Sequence, residues 1–206
     1  MKPITKISWV ILNLFVDVAF ASSMVSDKTY LTKEQYNNAS NYQRRLEVFK
    51  YGNQPPILEW AAKVHEKAYD FNHKKILEIG AGTCEFWEHT FKRDIKPSSI
   101  TITDISQGML NDCQKRLGNK YNFAYDIADI DHLQKYPSAS FDIVIAHFVI
   151  YHAQNPEKAL KELHRIIKPH GLLALAVVDE ASSEGLWKLG HLFDERVPTK
   201  GFTAVF

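Results

Sequence analysis

The sequence predicts an α/β protein: a doubly wound, mostly parallel sheet with helices on both faces. Three observations predict it. Short apolar or β-branched runs recur at residues 76–79, 100–103, 121–125, 140–146 and 172–178. Between them, apolar residues repeat at helical spacing, and strand–helix alternation is the pattern of parallel βαβ units. The first run ends in a bend, Gly80-Ala81-Gly82, followed by a helix-compatible segment. A chain of 206 residues can bury one sizeable core. Its net charge of +1 gives no bulk electrostatic reason to expect nucleic acid or an acidic partner.

Taken in order, Lys2 and Lys6 precede an apolar stretch over residues 7–20, which closes on Ala19-Phe20-Ala21. That is the layout of a secretory signal. The stretch is short for a membrane span and contains Asn13 and Asp17. Residues 1–23 therefore read in three ways. They are a signal or anchor, an interfacial helix touching a membrane through residues 7–20, or an extension upstream of a start at Met24. Residues 24–55 read as a helical arm, with Ala39, Tyr42, Leu46 and Phe49 on one face. The break at Tyr51-Gly52-Asn53-Gln54-Pro55-Pro56 separates the arm from a main domain over residues 56–206. There Ile57, Ala61, Val64 and Ala68 predict a helix burying one face on the sheet.

The first strand carries an acid, Glu78, one residue before its end, and the glycines follow. Glycines let the main chain bend and let a ligand approach it. The dinucleotide fingerprint is not met, because its last glycine position holds Glu85. The second strand ends in Asp104, where a doubly wound fold presents an acid to ribose hydroxyls. Asp104 or Ser106 can also cap the next helix, which turns Met109, Leu110, Cys113 and Leu117 inward and stops at Gly118. Asp126, Asp129 and Asp131 follow the third strand. The fourth is continuously apolar, as a strand covered on both faces should be. Asn155-Pro156-Glu157 starts a helix whose stripe runs through Ala159, Leu160, Leu163, Ile166 and Ile167. Lys168-Pro169-His170-Gly171 stops it. Beyond the fifth strand, residues 186–196 suit a helix and residues 202–206 a last strand, so an antiparallel sheet edge would be short or truncated.

Nine histidines are scattered without ligand spacing, so no metal site is expected. Cys84 and Cys113 fall in different βα units, and a reduced, cytoplasmic protein without a disulfide is the simpler expectation, with an exported or membrane-associated protein as the alternative if residues 1–21 are a signal or anchor.

The run I-L-E-I-G-A-G resembles motif I of the class I S-adenosylmethionine-dependent methyltransferases, with Rossmann-like sheets. The block F-D-I-V-I through K-P-H-G-L-L-A-L resembles their fourth-strand region. The likeness is to the small-molecule branch (type 11/25-like) and covers residues 36–178. The family usually has glycine where Cys84 and His170 stand. The resemblance implies S-adenosylmethionine as cofactor, held by Glu78, Gly80, Ala81 and Gly82, by Asp104 at the ribose and by Ile105 at the adenine. It implies Asp129, or else Asp126, at the adenine amine, and Ala146 near the methyl-donor end. Tyr42, Arg44 and Arg45 would reach in from the arm. His147, Tyr151 and His152 are the candidates for catalysis. The activity implied is methyl transfer to a small-molecule acceptor, which the sequence does not identify. The rivals are a non-catalytic methyltransferase-like binding protein and, less well matched, an NAD(P)-dependent oxidoreductase.

Overall fold

The computed structural model describes residues 27–49, 57–118, 121 and 123–177. A helical turn at Lys28–Tyr30 is capped by the Asp27 carboxylate and runs into a π-helical turn at Leu31–Gln35. Helix α1 follows at Ser40–Phe49 and α2 at Ile57–Ala68. The main unit is then β1 (Lys75–Ile79), α3 (Glu85–Thr90), β2 (Ser99–Asp104), α4 (Gln107–Leu117) and β3 (Phe123–Ile127). It continues with β4 (Phe141–His147), a 3-10 turn at Ile150–His152, α5 (Pro156–Ile166) and β5 (Ile167–Ala176).

The five strands pair in parallel in the order β3-β2-β1-β4-β5. The order reverses between β1 and β4, and ligands of such sheets bind outside the carboxyl ends at that point. Alternate residues of the central strands face two cores. Ile76, Ile102 and Ile145 pack with Ala61, Phe86, Trp87 and Leu110 beneath α2, α3 and α4. Leu77, Ile79 and Val144 pack with Leu133, Leu163 and Ile166 beneath α5. Helices thus cover both faces, as the alternating pattern required.

Four details correct the sequence expectations. Helix α2 is rotated: Ala61, Ala62 and His65 are buried, while Ile57 and Val64 are 46% and 40% exposed. Two alanines let the helix approach closely, and His65 finds ring partners in Phe86 and His147. Strand β3 begins at Phe123, so Asp126 lies within it; Tyr121 instead stacks on Phe91. Ile167 is extended and pairs with Phe141, so α5 ends one residue early; the register of β5 then shifts across Lys168 to Gly171, so that Leu172 pairs with Ile143. His170 takes a φ of +62° there, a left-handed conformation that favours glycine. Finally, Cys84 and Cys113 form a disulfide with a Cα–Cα distance of 5.0 Å. Neighbouring parallel units place the start of α3 against the middle of α4, which sequence separation conceals. The expected elements over residues 1–26 and 178–206, including the sheet edge, lie outside the described residues.

Candidate functional site

Three alternate residues shape the bend after β1: Gly80, Gly82 and Cys84 have φ of +69°, +56° and +60°. Glycine is required at position 80 on two counts. Its backbone is left-handed, and a Cβ there would lie 2.6 Å from Cγ2 of Val149. Cys84 accepts the strain of the third left-handed position, but its side chain is fully buried against Cys113 and does not fill the bend.

Asp104 ties this bend to the next one. Its Oδ2 accepts the Gly82 N–H at 2.9 Å, and its Oδ1 accepts the Ser106 N–H at 2.9 Å. Ser106, not Asp104, caps α4, accepting the Met109 N–H. The Ala81 N–H is bound by the Thr103 carbonyl. Beneath the bend, Glu78 is 2% exposed and accepts the indole N–H of Trp87. Burial, with the Asp104 charge added, pushes the Glu78 carboxyl up to about 8. Burial also raises Asp104, against the backbone N–H groups that favour its charged form. Among the described residues neither acid carries an ion pair. Two buried carboxyls, both raised by burial and Glu78 further by the Asp104 charge, that lack a cation suit a cationic ligand. The Thr83 hydroxyl beside them is buried and has no protein partner among the described residues.

The arm closes over this corner. Ser106 Oγ donates to the Tyr36 carbonyl, and the Ala39 N–H binds Asp112 at 3.0 Å. Asn37 sits so close to the first turn of α4 that a Cβ on Gly108 would overlap its carbonyl oxygen. Lys28 bridges Asp129 at 2.9 Å and Asp131 at 2.7 Å, and donates to the His152 carbonyl. The Tyr36 hydroxyl lies 3.3 Å from His152 Nε2.

The structure therefore brings Glu78, Gly80, Ala81, Gly82 and Asp104 together, with Ile105 half-buried beside Asp104. Asp129 belongs to the arm contact. Asp126 is turned elsewhere, bound to Lys135 and Tyr136. The Ala146 methyl is fully buried in the α5-side core, so only its main chain is available. The three candidates after β4 separate. Tyr151 and His152 lie in the 3-10 turn near the arm. His147 is 6% exposed and packs on Phe86, with its Nε2 3.1 Å from that of His65. Burial, then His65, holds its ring down at about 3. In the arm, Tyr42 is half-buried and Arg44 exposed; the Arg45 side chain lies outside the described residues. Sequence reasoning missed Lys28, Tyr36, Thr83 and Trp87. Only Trp87 left a signal, as a buried donor one turn into the helix beyond a buried acid.

No group of three or more histidine, cysteine or acidic residues that could hold a metal occurs among the described residues. Nor is any helix among them long and apolar enough to cross a membrane.

Comparison with known proteins gives one consistent result. Residues 77–175 match the methyltransferase domain family. The ubiquinone/menaquinone biosynthesis C-methyltransferase UbiE of Hydrogenovibrio crunogenus is 26% identical over 162 residues, 77% of this chain and 62% of that protein. Squalestatin hexaketide synthase of a Phoma species is 32% identical over 122 residues, 55% of this chain but 5% of the synthase. The chain thus spans less than two thirds of these relatives. Among solved structures, the CurJ carbon methyltransferase superposes with a TM-score of 0.60 at 19% identity, covering 92% of this chain and 52% of that one. The trans-methyltransferase CalH, in complex with SAH, gives 0.57 at 20% identity, covering 95% and 56%. Both likenesses carry the fold.

Proposed function

Since residues 77–175 match the methyltransferase domain family, we propose that the chain is a class I S-adenosylmethionine-dependent methyltransferase that transfers the sulfonium methyl to a small-molecule acceptor by in-line displacement. The observation that carries this reading is the buried pair Glu78 and Asp104, without a cation of its own, around a bend that only glycine can make at position 80. The donor set fits the cofactor: carboxylates for an ammonium and for ribose hydroxyls, with a close approach to main chain between them. When bound, the cofactor supplies the electrophilic methyl.

The chain's own residues position and exclude water. Glu78, Gly80, Ala81 and Gly82 line the methionine side, Asp104 takes the ribose, and Ile105 lies against the base. Asp129 faces the adenine amine once Lys28 yields. Lys28 and Tyr36 hold the arm over the site, and such positioning is worth about 7–11 kcal/mol of barrier in well-aligned reactions. Where the acceptor must lose a proton, His152 is the candidate base, its Nε2 3.3 Å from the Tyr36 hydroxyl. His147 is committed to packing. The likeness to UbiE, named a C-methyltransferase, supports an enolisable carbon acceptor as the first class to screen.

Calorimetry with S-adenosylmethionine tests the binding half. Mass-spectrometric detection of S-adenosylhomocysteine across an acceptor panel tests the transfer half. Binding followed by acceptor-dependent turnover is expected. Absence of binding by the unmutated chain overturns the reading; binding without turnover leaves a methyltransferase-like binding protein.

A further inference from the structure

The geometry points to a redox-responsive clamp on the glycine bend: the Cys84–Cys113 disulfide holds the bend against α4, and its reduction releases the bend and weakens cofactor binding. The second clause rests on the function proposed above. Cys84 ends the bend in a left-handed conformation without a side-chain cap for α3. Non-glycine residues resist that conformation, so something must hold it. The partner sulfur comes from Cys113, and both residues are fully buried. One turn earlier on the same helix, Met109 Cε lies 3.5 Å from where a Gly82 Cβ would be. Adjacent turns of α4 therefore brace Gly82 and Cys84. Asp104 joins the same unit through the Gly82 and Ser106 N–H groups. The arm is seated on it too, since Ala39 binds Asp112, the residue before Cys113. One covalent bond thus links the bend, the ribose acid and the cover.

A groove of about 680 Å³ between α1, α3 and α4 is lined by Thr83 and Asp112, the residues preceding the two half-cystines, with Asn38, Ser40, Gln43 and Arg116. It gives a thiol a path to the bond once α3 and α4 part. Reduction by an external dithiol proceeds by attack of its thiolate on one sulfur. This forms a mixed disulfide and expels the other cysteine as thiolate. The reductant's second thiol then resolves the mixed disulfide. Two electrons and two protons pass to Cys84 and Cys113, and the dithiol leaves as its cyclic disulfide.

The test compares the full chain, purified without reductant, before and after dithiothreitol. Hydrogen exchange is followed at the amides of residues 80–90 and 107–117, and S-adenosylhomocysteine binding by calorimetry. Reduction is expected to speed exchange in both segments and to weaken binding roughly tenfold, a usual size for coupling between sites. Cys113→Ser should show fast exchange with or without dithiothreitol. Exchange unchanged by verified reduction, or free thiols in the unreduced chain, overturns the clamp. Faster exchange in a chain that binds no cofactor in either state leaves the clamp standing and overturns the proposed function instead.

Discussion

Two buried polar pairs lie on the same face of the sheet, and they meet the demands of burial in opposite ways. Glu78 and Asp104 are acids that burial raises, Glu78 further through the Asp104 charge, and they have no cationic partner among the described residues. His65 and His147 are rings that meet Nε2 to Nε2 within a cage of Phe71, Phe86 and Tyr69, each with its Nδ1 buried and without a hydrogen-bond partner among the described residues. Burial drives the two pairs toward neutrality from opposite sides: the Glu78 carboxyl rises to about 8 and the His65 and His147 rings fall to about 4 and 3. The difference lies in what surrounds them. The acids adjoin main-chain N–H groups, the Trp87 indole and a bend whose residues 80 and 82 carry no side chain, which leaves main chain for a ligand to approach. The histidines are packed among rings, with the Arg93 charge close enough to act on His65. A buried ionisable group marks a site when its neighbours leave room for a partner, and marks a core when they do not.

The sharpest way to break the comparison is at the bend. Gly80→Val places a branched side chain against Val149 in a left-handed backbone. It should abolish cofactor binding in calorimetry and lower unfolding stability by about 1–3 kcal/mol. Next is Asp104→Ala, which leaves the Gly82 and Ser106 N–H groups without their acceptor. Hydrogen bonds to charged groups are worth about 1.5–3 kcal/mol, so S-adenosylhomocysteine should bind roughly a hundredfold more weakly.

A smaller effect separates the pairs by pH. Glu78 is raised from 4.5 to about 8 in the fold, so between those values the native state holds the extra proton. The stability of the cofactor-free chain should therefore be fullest from this group below pH 4.5 and be lost as pH rises through 8. Glu78→Gln should flatten that slope in denaturant unfolding across pH. The histidines act in the other direction. Their unfolded value of 6.5 lies above the folded ones, so their contribution is present above pH 6.5 and lost as pH falls toward 4 and 3. The double change His65→Phe with His147→Phe should make this acid limb shallower. It should change cofactor affinity by no more than about twofold, as expected for a site not coupled to the bend.

The sequence made the sheet legible because β1, β2 and β4 are largely buried: β4 has a continuous apolar centre, and β1 and β2 are short apolar or β-branched runs. It made the acids and glycines legible because they share two short turns. It misled wherever packing rather than hydrophobicity decided the outcome. Ile57 and Val64 outrank two alanines and a histidine on any apolar scale, yet the small residues and the ring are what fit against the sheet. Ile167 continues the α5 stripe by spacing but is drawn into the ladder by Phe141. Contacts across long separations left no trace in the chain. The bond between Cys84 and Cys113 spans 29 residues, and the Tyr36 to His152 contact spans 116. His147 and His152 looked equivalent beside Tyr151. Only the turn after β4, with Phe148 in a left-handed conformation at a φ of +53°, sends one to the core and the other to the arm.

The central claim is that a cationic ligand completes the Glu78 and Asp104 pair. Its most direct test is the proton count when S-adenosylmethionine binds the full chain near pH 7, obtained from calorimetry in two buffers of different ionisation enthalpy. Release of close to one proton, vanishing in Glu78→Gln, is the result expected from a carboxyl held at about 8. Binding with no proton released, or release that persists in Glu78→Gln, would contradict it.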